Sequence, residues 1–169
     1  KYSRGVLSVV AGSPEYPGAA VLVTTAAAAT GLGYLSLVAE PPRGKAVAEQ
    51  VLTATPQTVV LDSVSPKATA LVIGPGLGDT ARSQQAVLAA LQVGAERHLP
   101  VLVDASGLEE LDADVIAQSY GALVVTPHVG EMQRLTQRLA SDVADEPVIM
   151  QAEVVAQRFG VWVVLKSDT

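Results

Sequence analysis

The chain has no cysteine, few aromatic residues and no cluster of positive charge. Without cysteine, neither a disulfide nor a thiolate metal site can form. The two histidines, His98 and His128, lie too far apart for a metal-ligand spacing. Aromatic residues make up 4% of the chain and hydrophobic residues 49%, so valine, leucine and alanine must build the core. This composition is typical of buried parallel strands covered by alanine-rich helices.

The charge and hydropathy patterns exclude two classes of partner. The net charge is -6, and the eleven lysine and arginine residues are scattered, whereas binding to a nucleic-acid backbone needs concentrated positive charge. Glycine, proline and Glu15 interrupt the apolar stretch 6–38 before it reaches the roughly 20 residues that span a bilayer. The sequence therefore predicts no nucleic-acid partner, no membrane segment and a cytoplasmic location.

The order of apolar runs predicts the fold class. A chain of 169 residues is long enough for one domain with a sizeable core. Short apolar runs that read as strands alternate with helical patterns, which predicts an α/β fold with a mainly parallel sheet and helices on both faces. The predicted strands are 6–10, 34–38, 58–61, 68–73, 100–103, 122–125 and 161–165. The predicted helices are 19–30, 45–53, 80–97, part of 108–118, 130–139 and 148–159.

Polar or glycine-rich segments follow most of the predicted strands. Because the carboxyl ends of parallel strands lie at one edge of a sheet, these segments are expected to converge on one cleft. They are Ser13, the turn 74–78 (Gly-Pro-Gly-Leu-Gly), Asp104, Thr126 with His128, and Lys166.

The glycine-rich turn 74–78 allows main-chain atoms to approach a ligand closely. Free amides at the start of the helix that follows would favour a phosphate or another anion. The turn matches neither the dinucleotide-binding fingerprint nor the P-loop. A purely structural tight turn is the alternative.

Each single polar residue also has a functional and a structural interpretation. As a functional residue, Asp104 would bind magnesium through water or accept a hydrogen bond from a substrate hydroxyl. As a structural residue, it would cap the next helix. His128 contacts a ligand or only positions its turn, and Glu131 complements the helix dipole. Lys166 pairs with a nucleotide phosphate or is an ordinary solvated lysine. Ala20 either packs a helix closely or lies beside a ligand, and the acidic residues Glu109, Glu110, Asp112 and Asp114 are expected on a solvated helix face.

Taken in order, the motifs resemble those of the NAD(P)H-hydrate dehydratase family in the ribokinase-like superfamily. The resemblance spans the whole chain, and its most specific part is the Thr-Pro-His-Val-Gly-Glu turn 126–131. The other matching segments are Lys1 with Gly5, 11–13, 16–20, 31–33, 73–78, 103–108 and 164–166.

The resemblance implies a repair reaction on nicotinamide cofactors that have added water. A nucleotide phosphorylates the hydroxyl of hydrated NADH or NADPH, and phosphate elimination restores the cofactor, because phosphate leaves more easily than hydroxide. Bacterial-type members use ADP and eukaryotic ones generally ATP, so the co-substrate is ADP or ATP, with Mg²⁺ expected. The implied contacts to the hydrated cofactor are Ala20, Gly76 or Gly78, and His128. The implied nucleotide-site residues are Asp104, Lys166, Ser167, Asp168 and Thr169.

Two departures from the family pattern concern the end of the chain. The family usually has a KGxxT-like segment where this chain has Lys166 to Thr169 without the glycine. The family's GTGD segment, whose aspartate is the expected base, is not found before Thr169. We therefore expect a single ribokinase-like domain, 1–169, that lacks its N-terminal helix and C-terminal catalytic segment, and that is inactive if it ends there. A homo-oligomer is also expected.

Two other functions remain open on the sequence alone. The first is a ribokinase-like kinase for a vitamin-precursor alcohol, since it shares phosphoryl transfer to a hydroxyl and the fold cannot separate the two. The second is a non-catalytic nucleotide-binding module. The turn 126–131 and the segment 16–20 favour the dehydratase.

Overall fold

The computed structural model describes residues 2–39, 44–119 and 122–167. The strands are β1 Val6–Val10, β2 Tyr34–Val38, β3 Val59–Leu61, β4 Ala70–Ile73, β5 Val101–Val103, β6 Leu123–Val125 and β7 Trp162–Val163. The helices are α1 Pro17–Ala29, α2 Gly44–Ala54, α3 Ala81–Glu96, α4 Ala113–Gln118, α5 Val129–Leu139 and α6 Val148–Phe159. Short 3₁₀ helices cover Tyr2–Arg4, Ala105–Glu110 and Ser141–Val143.

Within the described residues the strands form one parallel sheet in the order β3-β2-β1-β4-β5-β6-β7. The chain runs outward from β1 to β3, then returns to place β4 on the other side of β1. The gap between β1 and β4 is therefore the topological switch point, where open α/β sheets bind ligands outside the carboxyl ends of their strands. The predicted fold class is confirmed.

Two hydrophobic clusters, one on each face of the sheet, form the core. Successive side chains of a strand point to opposite faces, so Val9 joins one cluster and Val10 the other. The first cluster packs β1 and β2 against α1 and α2, and the second packs the central strands against α3, α5 and α6. Helices thus cover both faces, as the right-handed connections of a parallel sheet require.

The final predicted strand is shorter than expected. The prediction was 161–165, but regular pairing with β6 covers only Trp162 and Val163. Beyond them, the Val164 amide still donates to Val125, and Lys166 forms a separate parallel bridge to His128. The cause is the neighbour: β6 has three residues, so the chain beyond β7 can follow only the turn after β6.

Of the acidic residues predicted on a solvated helix face, Glu109, Asp112 and Asp114 are exposed, but the set is divided between the 3₁₀ helix Ala105–Glu110 and α4. Glu109 accepts hydrogen bonds from Arg134 at 3.0 Å and from Arg138 at 2.7 Å, which ties the 3₁₀ helix Ala105–Glu110 to α5. Asp112 caps α4 by accepting a hydrogen bond from the Val115 amide at 2.8 Å. Two of the four acidic residues therefore hold elements in place.

Among the helices of the described ranges, none is both long and apolar enough to span a bilayer.

An ion pair between Asp142 and Arg158 predicts a pH-dependent stability. Arg158 donates two hydrogen bonds, at 2.6 and 2.8 Å, to the two carboxylate oxygens, and these bonds lower the pKa of Asp142. The unfolded chain then binds more protons, so the pair stabilises the fold above the unfolded-state pKa and ceases to do so as pH falls through the lowered value. We expect Asp142→Asn to have a slightly lower melting temperature than the parent protein at pH 7. The difference should close below about pH 4, and a constant difference down to pH 2 would refute this coupling.

Candidate active site at the carboxyl edge

Gly74 allows the loops after β4 and β5 to touch. Its φ is +119°, and a Cβ atom there would collide with the Asp104 carbonyl oxygen and lie 2.7 Å from the Gly107 amide nitrogen. The Asp104 amide in turn donates to the Ile73 carbonyl at 3.0 Å. Glycine at position 74 thus allows the main chain of Asp104 to lie directly beside the end of β4.

The rest of the glycine-rich turn packs against the start of α1. A Cβ atom on Gly76 would overlap the Ala19 methyl group and lie 2.9 Å from the Tyr16 carbonyl oxygen. The Gly12 amide donates to the Pro75 carbonyl at 2.8 Å, which joins the loop after β1 to the turn. Gly78 differs, since a Cβ atom there would have no neighbour within 4 Å. Gly76 thus has a packing role, whereas Gly78 leaves its side of the turn open.

Ala20 is fully buried beneath Gly12. A Cβ atom on Gly12 would come within 2.7 Å of the Ala20 methyl group. The structure thus shows the close helix packing that the sequence offered as one interpretation of Ala20. Its assignment as a contact to the hydrated cofactor remains a prediction.

His128 is the N-cap of α5 and forms a capping box with Glu131. Its Nδ1 accepts a hydrogen bond from the Gly130 amide at 3.1 Å, and its own amide donates to Glu131 Oε2 at 2.8 Å. A neutral imidazole that accepts at Nδ1 carries its proton on Nε2. Nε2 lies 3.4 Å from Glu131 Oε1. His128 therefore does position its turn, and it offers Nε2–H for other contacts.

Lys166 joins the ends of β5, β6 and β7. Its amide donates to the Pro127 carbonyl at 2.8 Å, beside the bridge to His128. Its Nζ lies 2.6 Å from Asp104 Oδ1 and 3.9 Å from Glu131 Oε2. Asp104 makes no side-chain capping bond, so its capping interpretation does not hold. Lys166 is exposed, as its solvated interpretation expected, but it is also paired with Asp104. We call Asp104, His128, Glu131 and Lys166 the charged cluster.

Two cavities open at the carboxyl edge, on either side of the glycine-rich turn. The edge cleft, about 280 Å³, adjoins the charged cluster through Glu131 and is bordered by Gly78, Ala105, Ser106 and Arg134. The switch cavity, about 390 Å³, lies at the carboxyl ends of β1 to β3, beside α3. The second is large enough for a small-molecule ligand.

Most residues around the switch cavity were not predicted as site residues from the sequence. Its lining is mostly apolar, with Ala86, Ala89 and Val93 of α3, and its polar members include Ser13, Asp62, Ser63, Thr80 and Ser83. Of these, only Ser13 was identified from the sequence. One signal was available in the sequence. The alanine residues of α3 cover more of the helix surface than the single apolar face that packs on a sheet needs.

Two of the predicted nucleotide-site residues, Asp168 and Thr169, lie outside the described residues, as does Lys1. Ser167 is exposed directly after Lys166. The described residues contain no group of three histidine or carboxylate side chains able to hold a metal ion. Asp104 and Glu131, the two carboxylates of the charged cluster, both face Lys166. An Mg²⁺ ion at this site would therefore be held mainly by nucleotide phosphates, with Asp104 and Glu131 as the carboxylates of the charged cluster that could assist.

These features define an open parallel α/β protein whose charged and glycine-rich groups meet at the carboxyl edge of the sheet, next to its switch point. A family model described as NAD(P)H-hydrate dehydratase matches residues 7–169. The chain belongs to the NAD(P)H-hydrate dehydratase family.

Similar proteins support this assignment. The bifunctional NAD(P)H-hydrate repair enzyme of Mycobacterium tuberculosis is 44% identical over 141 residues, which is 80% of this chain and 27% of that protein. The ATP-dependent (S)-NAD(P)H-hydrate dehydratase of Aspergillus fumigatus is 28% identical, over 93% of this chain and 47% of that protein. Among solved structures, the ADP/ATP-dependent NAD(P)H-hydrate dehydratase of Bacillus subtilis, co-crystallised with ATP and Mg²⁺ and soaked with CoA, superposes with a TM-score of 0.77 and 27% identity.

The chain is shorter than these relatives. It spans 27% of the mycobacterial repair enzyme and 61% of the Bacillus subtilis chain, although 99% of it is covered by the latter.

Proposed function

We propose that this protein dehydrates hydrated NADH or NADPH, using ADP or ATP to phosphorylate the ring hydroxyl, and so restores the reduced nicotinamide cofactor. The observation that carries the proposal is the charged cluster, in which the bridge between His128 and Lys166 brings the specific turn 126–131 next to Asp104. The family assignment and the named relatives support the same reaction.

In this reaction the chain's own residues would bind and orient the two substrates. The Lys166 ammonium has three N–H donors, and Asp104 and Glu131 engage at most two of them, so one remains for a nucleotide phosphate. Gly78 leaves room beside the edge cleft for the hydrated ring, and His128 offers Nε2–H to it. Mg²⁺ would supply charge neutralisation on the phosphates.

The chemistry then needs a good leaving group more than a strong base. The ring hydroxyl loses its proton as it accepts the terminal phosphoryl group of the nucleotide. The nucleotide product is AMP when ADP is the donor and ADP when ATP is the donor. The C–O bond next breaks, inorganic phosphate departs, and the neighbouring ring carbon loses a proton, which restores the double bond. The charged cluster would act by placing the phosphoryl group in line with the hydroxyl.

The experiment that tests the proposal uses the intact gene product with hydrated NADH or NADPH and supplies ADP and ATP separately. We expect nucleotide-dependent return of the near-ultraviolet absorbance of the reduced nicotinamide, with release of inorganic phosphate. Accumulation of a phosphate ester from an added alcohol, without repair, would instead identify the small-molecule kinase. Nucleotide binding without turnover on either substrate would identify a binding module.

Several finer features belong to the same proposal. We infer a single ribokinase-like domain across 1–169, a homo-oligomer and a cytoplasmic location, where nicotinamide cofactors are used. Sedimentation of the purified protein and microscopy of a tagged version would test the last two.

A further inference from the structure

The Glu131 carboxylate does more than cap a helix. A capping box needs one oxygen, and Oε2 fills that role by accepting from the His128 amide at 2.8 Å. The other oxygen, Oε1, lies 3.4 Å from His128 Nε2, and Oε2 is also 3.9 Å from Lys166 Nζ. One carboxylate thus contacts the main chain of the specific turn, its imidazole and the lysine of the neighbouring strand end.

The burial of Glu131 separates it from an ordinary capping residue. Its side chain is only 11% exposed, whereas Asp112, the N-cap residue of α4, whose carboxylate also accepts a main-chain hydrogen bond, is exposed. Burying a carboxylate is unfavourable unless a cation and hydrogen bonds compensate for lost water. Lys166 provides the cation, and the His128 amide provides the hydrogen bond. The partly buried carboxylate of Glu131 is therefore compensated by both partners.

We propose that Glu131 is a positioning residue that fixes the His128 imidazole and the Lys166 ammonium relative to each other. With Nδ1 occupied by the Gly130 amide, the imidazole can only donate, through Nε2–H, and Glu131 Oε1 sets its direction. The distance of 3.4 Å is long for a hydrogen bond. The Nε2–H proton therefore remains available to a bound ligand while its orientation is held.

Glu131→Gln tests this role because an amide has only one acceptor oxygen. If that oxygen keeps the helix cap, the amide NH₂ faces His128 Nε2–H, and two donors then oppose each other. Glutamine is itself a regular capping-box residue, so the fold should be retained. Glu131→Ala removes the cap as well, and Asp112→Asn is the matched control, since it changes a capping carboxylate to its amide away from the charged cluster.

Two readouts are measured on the intact gene product. Imidazole nitrogen and carbon NMR shifts, assigned by their loss in His128→Asn, report the tautomer of His128 without any reaction. Repair kinetics, which rest on the proposed function, report kcat and KM separately. For Glu131→Gln we expect a melting temperature near that of the parent, a changed His128 tautomer signal, and kcat lower by about 10- to 100-fold with little change in KM. Asp112→Asn should match the parent protein in both readouts.

A parent-like His128 signal and kcat in Glu131→Gln would overturn the proposal and leave Glu131 as a helix cap. If Glu131→Gln is as unstable as Glu131→Ala, the NMR signal recorded below its melting temperature still decides, because an unchanged tautomer contradicts the inference. Absence of repair by the parent protein itself would reject the proposed function, and the NMR comparison would remain valid.

Discussion

Replacing Gly74 with alanine is expected to lower the free energy of unfolding by about 3 kcal/mol or more. Two costs add at this position. The backbone has φ of +119°, which side chains rarely adopt, and the new methyl group would collide with the Asp104 carbonyl and the Gly107 amide. Neither neighbour can yield easily, because both are main-chain atoms and the Gly107 amide donates a hydrogen bond to the Asp104 carbonyl at 3.0 Å. Chemical denaturation of the purified protein measures the effect.

Gly78→Ala is the matched control in the same turn. Its φ is +76°, but a Cβ atom there meets nothing within 4 Å, so only the backbone cost of about 1 kcal/mol applies. Equal destabilisation by the two substitutions would show that the contact between the loops after β4 and β5 is not what requires glycine at 74.

Lys166→Met should reduce repair activity more than any surface substitution, by about 10²-fold in kcat/KM for the nucleotide. Methionine keeps much of the side-chain length but removes the ammonium, which lies 2.6 Å from Asp104 and would face the phosphates. Stability should change by only about 1 kcal/mol, because the lysine side chain is 45% exposed. Steady-state kinetics with ADP and ATP and calorimetric nucleotide titration measure the two effects.

Lys45→Met serves as its control, since Lys45 is 79% exposed and only approaches Glu49 at 4.0 Å. We expect parent-like kinetics for this variant. Full activity of Lys166→Met would show that the lysine does not belong to the phosphate site and only links the segment after β7 to Asp104.

The fold could be predicted in outline because its information is local. Apolar runs of four to five residues ended by glycine or polar residues mark β1, β2 and β4, and the predicted bounds of β1, β2 and α6 agree with the structure. Among the strands the largest difference is at the last one, where pairing depends on the length of a neighbouring strand that the local pattern does not encode.

The candidate site was predicted less completely, for a similar reason. The sequence indicated His128, Asp104 and Lys166 one by one, each with a structural alternative. Only the structure brings Lys166 within 2.6 Å of Asp104 and adds Glu131 between Lys166 and His128. The spacing of His128 and Glu131, three residues apart, was the one signal for the capping box, but it does not reveal Lys166, which follows β7.

The α/β class and the position of polar groups after the strands could be predicted from the sequence, because the alternation of apolar and polar residues follows from secondary structure alone. The sequence also carried the ordered motifs of the NAD(P)H-hydrate dehydratase family. Which side chains meet depended on the strand order, which places β1 beside β4 and β7 beside β6. Strand order is a long-range property that no local pattern encodes, and so the contact of Glu131 with Lys166 follows from the tertiary structure alone.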